Sequence, residues 1–439
     1  MKNVKEIVFT FFVMSCPVFM AAQNTKHYPL GMDEMFEIAD KNSRSIRTYT
    51  IAEQEAAQSV RVVKNAMLPS VDLSLSASFL GDGRLSDRNF SHGENAPMPH
   101  FGNNLAIEAS QVVYAGGSVS NGIALAELGR QLAALDKENN RQDIRFLLAG
   151  NYLELYKQNN QAEVYLKNIE QTQRLLSDIK AKQKEGLALK NDITRYELQL
   201  KSLELALVQT KNNKIIMNDQ LVTVLGLPRE TVIEIDTAIL EKLPGMSAEF
   251  RWQETAGAEL PVLKQARFDV ELSRITEKIN KAEYLPSVFL FAGEHLDGPI
   301  TIEVPPINKN FNYWYAGIGL KFNIASTYKS GKKVRLAELS KQKAAEGERL
   351  LRESVRTEVT SAYVRFTEAF TIYETQLKSL ELAVQNYEVI RNRYLNELAL
   401  ITDMLDASNS KLDAELQLAN ARINILFNYY RLKRVSGNL

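Results

Sequence analysis

The string Leu-Pro-Ser-Val occurs twice, at residues 68–71 and 285–288, 217 positions apart. A second correspondence runs at 211 positions. It joins Leu125-Ala126-Glu127-Leu128 to Leu336-Ala337-Glu338-Leu339, Leu187-Ala188-Leu189 to Leu398-Ala399-Leu400, Asp192 to Asp403 and Gly226 to Gly437. The chain is a tandem duplication, so each copy must fold as the other does and the two must fit together. The fall from 217 to 211 places a six-residue deletion between the two landmarks of the second copy, where a loop is expected. The copies are assigned to residues 23–226 and 259–439, with a linker region at 227–258.

All twelve prolines lie outside two long tracts, residues 100–227 and 307–439. Proline is poorly tolerated inside a helix, so these tracts are free to be helical. In the first, Ile193, Tyr196, Leu200, Leu203, Leu207, Met217, Leu221 and Val224 keep a 3-4 alternation; in the second, Phe366, Phe370, Tyr373, Leu377, Leu380, Val384 and Tyr387 do so. Such seams mark helices packed as coiled coils. Each tract is expected to break once, near Gly186 and near Asn396, which gives hairpins over about 118–226 and 327–436. A long arm of roughly 65 residues would span about 100 Å at about 1.5 Å per residue, a rod rather than an enzyme cleft.

Beside the Leu-Pro-Ser-Val strings the period changes to two. Val71, Leu73, Leu75, Ala77 and Phe79 alternate with Asp72, Ser74, Ser76 and Ser78, and Leu105, Ile107 and Ala109 alternate with Ala106, Glu108 and Ser110. In the second copy Val288, Leu290 and Ala292 begin one strand. In its partner Trp314, Ala316, Ile318, Leu320, Phe322 and Ile324 share a face opposite Tyr315, Gly317, Gly319, Lys321 and Asn323. Strands are expected over about 69–81, 104–115, 287–297 and 312–324, each long enough to cross a bilayer as a β-strand. Tyr313, Trp314 and Tyr315 are assigned to an aromatic girdle at the membrane interface. Four strands cannot close a barrel. Two chains give a side-chain-filled one, and three give twelve strands around a wider lumen.

At this point the chain resembles the TolC-type outer-membrane efflux proteins. The resemblance rests on the helix over residues 32–66 running into Leu68-Pro69-Ser70-Val71, on the duplicated strand pairs, and on Asp403-Met404-Leu405-Asp406-Ala407 followed by Glu415-Leu416-Gln417-Leu418-Ala419-Asn420-Ala421-Arg422. It implies a mainly α fold with β: a homotrimeric twelve-strand barrel in outer-membrane lipid, continued by a periplasmic α-helical barrel. It implies a passive exit duct of a tripartite efflux or type I secretion system, partnered by a periplasmic adaptor (membrane fusion) protein and an inner-membrane pump of the RND or ABC type. The tips Gly186, Leu187, Ala188, Glu397, Leu398 and Ala399 would then dock the adaptor, with Glu397 where the family commonly has glycine. Asp403 and Asp406, with Asp192 as a weaker member, would form a threefold carboxylate ring at the periplasmic entrance. The competing reading of these acids is that they complement a helix dipole. A competing reading of the chain is a periplasmic coiled-coil adaptor or scaffold without a barrel, though that would need no duplicated one-face-apolar strand pairs.

Charge and motif content narrow the rest. Lysine plus arginine equals aspartate plus glutamate, 53 each, with no basic stripe, so nucleic acid is not an expected partner. Lys2 and Lys5, the apolar run 7–14 and the small residues Ala21 and Ala22 read as an export signal over residues 1–22; lipoprotein processing at Cys16 is the alternative. Cys16 is the only cysteine, so a chain starting at Gln23 has no thiol chemistry. Beyond the signal there is no apolar run long enough for a membrane-spanning helix. His92, His100 and His295 lack metal-ligand spacing, and the Lys329-Ser330-Gly331-Lys332-Lys333 cluster reads as a solvated strand-to-helix junction. Trp252 is expected to pack in the linker region. No phosphate loop, zinc spacing or nucleophile elbow occurs, so neither enzymatic activity nor a cofactor is expected.

Overall fold

The computed structural model describes residues 26–237 and 243–439, so the signal expected over residues 1–22 lies outside the described residues. Each proline-free tract begins with a strand and continues as one long and one short helix. In the first copy these are α3 (Ser118–Lys184) and α4 (Lys190–Leu225); in the second, α7 (Ser326–Leu395) and α8 (Ile401–Val435). The long arms have 67 and 70 residues, about 100 Å each at about 1.5 Å per residue. The seam residues Tyr196, Leu203 and Leu207 are buried, and Phe366 is fully buried. Leu176, Ile179, Tyr196 and Met404 form a small core between the two hairpins near their tips.

The helix expected over residues 32–66 is two helices, α1 (Met32–Asn42) and α2 (Arg44–Lys64), followed by a 3-10 turn at Asn65–Met67. Ser43 between them is buried and extended, with ψ 123°. Its N–H donates to the Ala39 carbonyl at 2.9 Å and its own carbonyl accepts the Arg47 N–H at 3.0 Å, so one residue closes one helix and opens the next. The same place in the second copy is Leu260, between α5 (Glu249–Glu259) and α6 (Pro261–Ala282); here proline stands at the first helical position, where its fixed φ is favourable. Trp252 of α5 packs edge-on to Tyr429 at 6.3 Å, in a core of α5, α7 and α8. β1 (Lys26–Leu30) and β6 (Thr231–Ile235) pair in parallel, and Leu30 and Ile233 seal the neighbouring core with α1, α3 and α4.

The remaining strands are β2 (Ser70–Phe79), a small hairpin β3 (Gly83–Leu85) and β4 (Glu94–Ala96), β5 (Phe101–Ala115), β7 (Ser287–Gly298) and β8 (Phe311–Lys321). Four of them form one antiparallel sheet in the order β2-β5-β7-β8, so the two copies join at β5 and β7. A bulge interrupts the β5–β7 register between Val112 and Tyr114. The expected strand over 312–324 ends early, at Lys321. Asn323 makes the turn instead: its carbonyl accepts the Ser326 N–H at 3.0 Å and its Oδ1 accepts the Ala325 N–H at 3.1 Å, which starts α7.

Candidate functional site

Two regions carry features that the packed core does not use: the sheet and the paired helical tips. In the sheet, register places Val71 beside Ala109, Leu73 beside Ile107, Leu75 beside Leu105, Leu290 beside Ile318 and Val288 beside Leu320. These share one face, and most are exposed: Leu73 is 70% accessible, Leu75 77%, Ile318 70% and Leu320 69%. The same face also carries Gln111, Glu294 and Asn312, the last donating to Glu294 at 3.4 Å. A mostly apolar face open to its surroundings is unusual for a protein in water and ordinary for a sheet facing lipid. The opposite face carries Ser74, Ser76, Asp72, Glu108 and Asn104. Both edges, β2 and β8, lack a strand partner among the described residues.

Strand alternation divides the three residues assigned to the aromatic girdle between the two faces. Trp314 lies on the apolar face and is 78% exposed, whereas Tyr313 and Tyr315 point to the polar face, where both stack with His295. Three consecutive strand residues cannot share one face, because successive Cβ atoms point to opposite sides. His295 Nε2 stands 3.4 Å from Glu108 Oε1, and the Tyr315 hydroxyl donates to the same oxygen at 3.2 Å.

At the other end, the turns after α3 and α7 close with the same hydrogen bonds. Leu187 N–H donates to the Lys182 carbonyl at 2.9 Å and Gly186 N–H to Gln183 at 3.1 Å; Leu398 N–H donates to Arg393 at 2.8 Å and Glu397 N–H to Tyr394 at 3.1 Å. This pattern needs a left-handed residue, and Gly186 (φ 80°) and Glu397 (φ 64°) supply it. The exposed Leu187, Leu189, Leu398 and Leu400 leave an apolar surface on the tips, while Ala188 and Ala399 are half-buried. A groove of about 350 Å³ runs between the tips, lined by Leu187, Ala188, Leu189 and Asp192 from the first and Glu397, Ala399 and Leu400 from the second. Gly186, Leu398, Asp403 and Asp406 lie outside that lining. Lys182 and Tyr394, unremarked in the sequence, meet across the groove with the ammonium 5.2 Å from the ring centre. Burial pushes the Tyr394 hydroxyl above the ordinary tyrosine range, and the nearby Asp192 and Asp178 add to the shift.

The acids have a definite local role. Asp192 Oδ2 accepts the Leu189 N–H at 2.9 Å, and Asp403 Oδ2 accepts the Leu400 N–H at 3.1 Å. Each carboxylate therefore caps the first turn of a short helix; leucine offers no side-chain acceptor, so this is one arm of a capping box. Asp403 and Asp406 are both exposed, and their spacing of three places them on one face of α8.

The other residues singled out in the sequence fall elsewhere. His92 bonds Asp87 at 2.9 Å in the β2–β5 loop, and His100 stacks on Phe79 at 5.3 Å. Among the described residues no group of three His, Cys, Asp or Glu side chains is placed to hold a metal ion. The 329–333 cluster lies in the first turns of α7, where Lys333 and Ser330 both bind Glu283 at 2.7 Å. No helix among the described residues is long and apolar enough to cross a membrane.

No protein-family model matches the chain, and no curated protein matches it. Solved structures do. The outer membrane protein VceC from Vibrio cholerae superposes with a TM-score of 0.76 at 15% identity, over 92% of this chain and 96% of that one. The Campylobacter jejuni CmeC outer membrane channel gives 0.74 at 16%, over 93% and 85%. The open state of the Neisseria gonorrhoeae MtrE outer membrane channel gives 0.73 at 14%, over 92% and 88%. Agreement across nearly the whole length of three such chains, at identities too low to speak for anything but architecture, shows that this chain has the TolC-type outer-membrane channel fold.

Proposed function

We propose that the protein is a passive exit duct in the outer membrane of a Gram-negative bacterium, a homotrimer serving a tripartite efflux or type I secretion system. The observation that carries this reading is the four-stranded sheet: one face mostly apolar and largely exposed, both outer edges unpaired among the described residues, mounted on helices about 100 Å long. In lipid no water is available to satisfy an open edge, so the sheet must close on other copies. β2 and β8 run in opposite directions, so β8 of one copy meets β2 of the next in antiparallel fashion, and three copies make a closed twelve-strand barrel. Trp314 would sit at the lipid interface of that barrel.

The helical hairpins would line a periplasmic tunnel leading to the barrel. Their tips, with four exposed leucines around a shared groove, form the surface on which a periplasmic adaptor would dock, and the adaptor would connect the duct to an inner-membrane pump of the RND or ABC type. Exposed Asp403 and Asp406, repeated threefold, would place six carboxylates at the entrance and favour cations there, with Asp192 adding charge beside the groove. The protein would supply a path and a field, with no bond made or broken.

The deciding experiment is the native mass of the protein extracted from outer membranes in mild detergent, corrected for bound detergent. A trimer is expected. A monomer in the soluble periplasmic fraction would remove the barrel and return the chain to the scaffold reading.

A further inference from the structure

The polar face of the sheet is not uniformly polar. Six rings follow one another along β7 and β8 on that face. Phe311 stacks on Tyr313 at 5.3 Å, Tyr313 on His295 at 5.2 Å and His295 on Tyr315 at 5.6 Å; Tyr315 then meets Phe291, and Phe291 meets Phe289, each at 5.9 Å. From Phe289 to Asp297 the strand rises about 26 Å at about 3.3 Å per residue, the height of a membrane barrel's apolar band.

Part of this ladder has a structural explanation. Tyr315 lies flat over Gly293 and Phe291 over Gly317, where an added Cβ would come within 2.7 Å of the ring, and Phe289 covers Gly319 in the same way. Glycines crowded on one face, opposite an open face of branched side chains, make the ring-bearing face the concave one, which in a closed barrel is the lumen. Tyr313 and Phe311 cover no glycine. They stand across from His295 and Asp297, and they are 37% and 53% exposed. Covering backbone does not account for them.

The charges beside the ladder have one dominant sign. Asp72 and Glu108 face each other in the register on this same face, and Asp297 is bound by Asn104 and by the Tyr313 hydroxyl at 3.4 Å. The one lysine or arginine in the four strands is Lys321, at the foot of β8 next to the helices. Ring faces attract cations through their quadrupole, and flat π-systems stack on them whatever their substituents. We propose that the ladder is a binding track for planar aromatic cations passing through the barrel, with Phe311 and Tyr313 as its accessible upper rungs and the carboxylates holding the positive charge nearby.

The track rests on the duct reading, and the test separates the two. Single-channel currents would be recorded from the protein in planar lipid bilayers with ethidium, and with tetraethylammonium as a non-planar ion of equal charge. Ethidium is expected to interrupt the current at concentrations where tetraethylammonium leaves it steady. The double variant Tyr313→Leu with Phe311→Leu leaves every glycine-covering ring in place; its open conductance should be unchanged and its ethidium block weakened about tenfold. Open pores blocked equally by both cations, or an unaltered ethidium block in the double variant, would overturn the track alone. If the double variant fails to insert, the two-cation comparison on the unmodified protein still decides the matter. A trimer that forms no pore would overturn the duct and the track together.

Discussion

The two copies solve the same construction problems with different residues, and the differences separate what the backbone demands from what the surroundings permit. All four hairpin-helix C-termini end in the same motif, with left-handed residues at Gly186, Gly226, Glu397 and Gly437. Three are glycine; Glu397 is a glutamate in a conformation that costs an L-residue roughly 1 kcal/mol. A second difference lies under the sheet, where α2 and α6 are equivalent at the 217 offset. The first copy buries Val60 there. The second buries Glu277, bonded to Lys281 at 2.5 Å and to Lys341 of α7.

The sharpest break of this comparison is at Gly437. A Cβ there would meet the Leu260 backbone at 2.6 Å, whereas at Gly226 the nearest atom is an Asn42 side-chain carbon at 3.4 Å. Gly437→Ala should therefore cost about 3 kcal/mol, and Gly226→Ala only the left-handed penalty of about 1 kcal/mol. Thermal unfolding of the detergent-solubilised protein would show whether the two fall apart in this way. Equal shifts would mean that the second copy yields at Leu260.

Glu277 tests the other difference. Its bond to Lys281, then that to Lys341, holds the carboxyl below the ordinary value of 4.5. A carboxylate depressed on folding stabilises the protein fully above that ordinary value, and the contribution is lost as pH falls through the lower folded value. Glu277→Val, which copies the first repeat, should leave stability at pH 7 within about 1.5 kcal/mol of the original and flatten its fall below pH 4.5. An unchanged acid slope would place the acid sensitivity elsewhere.

Exchanging the tip residues gives a smaller effect of opposite sign. Gly186→Glu should destabilise by about 1 kcal/mol and Glu397→Gly should stabilise by about as much, since no atom lies within 4 Å of a Cβ built at Gly186 and only the dihedral penalty is at stake. Hydrogen exchange at the two turns would read each change locally. The smallest effect on stability is expected from Asp403→Asn with Asp406→Asn. Asparagine at 403 keeps an oxygen for the Leu400 N–H, so the fold should hold within about 0.5 kcal/mol while cation selectivity in bilayer recordings falls. Unchanged selectivity would leave Asp403 as a helix cap only.

The rods and the strand pairs were legible because duplication, proline placement and a change of period act on the backbone and leave their trace along the chain. The break at Ser43 left no such trace: there is neither proline nor glycine at the site, and a serine between two amphipathic helices reads as a continuation. The aromatic ladder was hidden for a different reason. Phe289 and Phe291 alternate with Val288 and Leu290, so the strand is apolar at both parities and the period of two disappears. Only the register, which sets Phe291 across from Gly317 and Tyr315 across from Gly293, reveals which rings share a side. The tip groove likewise needs the two hairpins side by side, since Lys182 and Tyr394 are brought together by packing between copies.

The junction of β5 with β7 has a last consequence. It joins the two copies by the same antiparallel pairing that the proposed ring requires between β8 of one chain and β2 of the next. Inside the membrane such a ring would have nearly sixfold rather than threefold symmetry, with every second seam carried by the chain itself. A half-length ancestor with two strands and one hairpin could have built the same pore from six subunits. Fusing them in pairs would then have freed alternate subunits to diverge, which is what Gly186 and Glu397, or Val60 and Glu277, record.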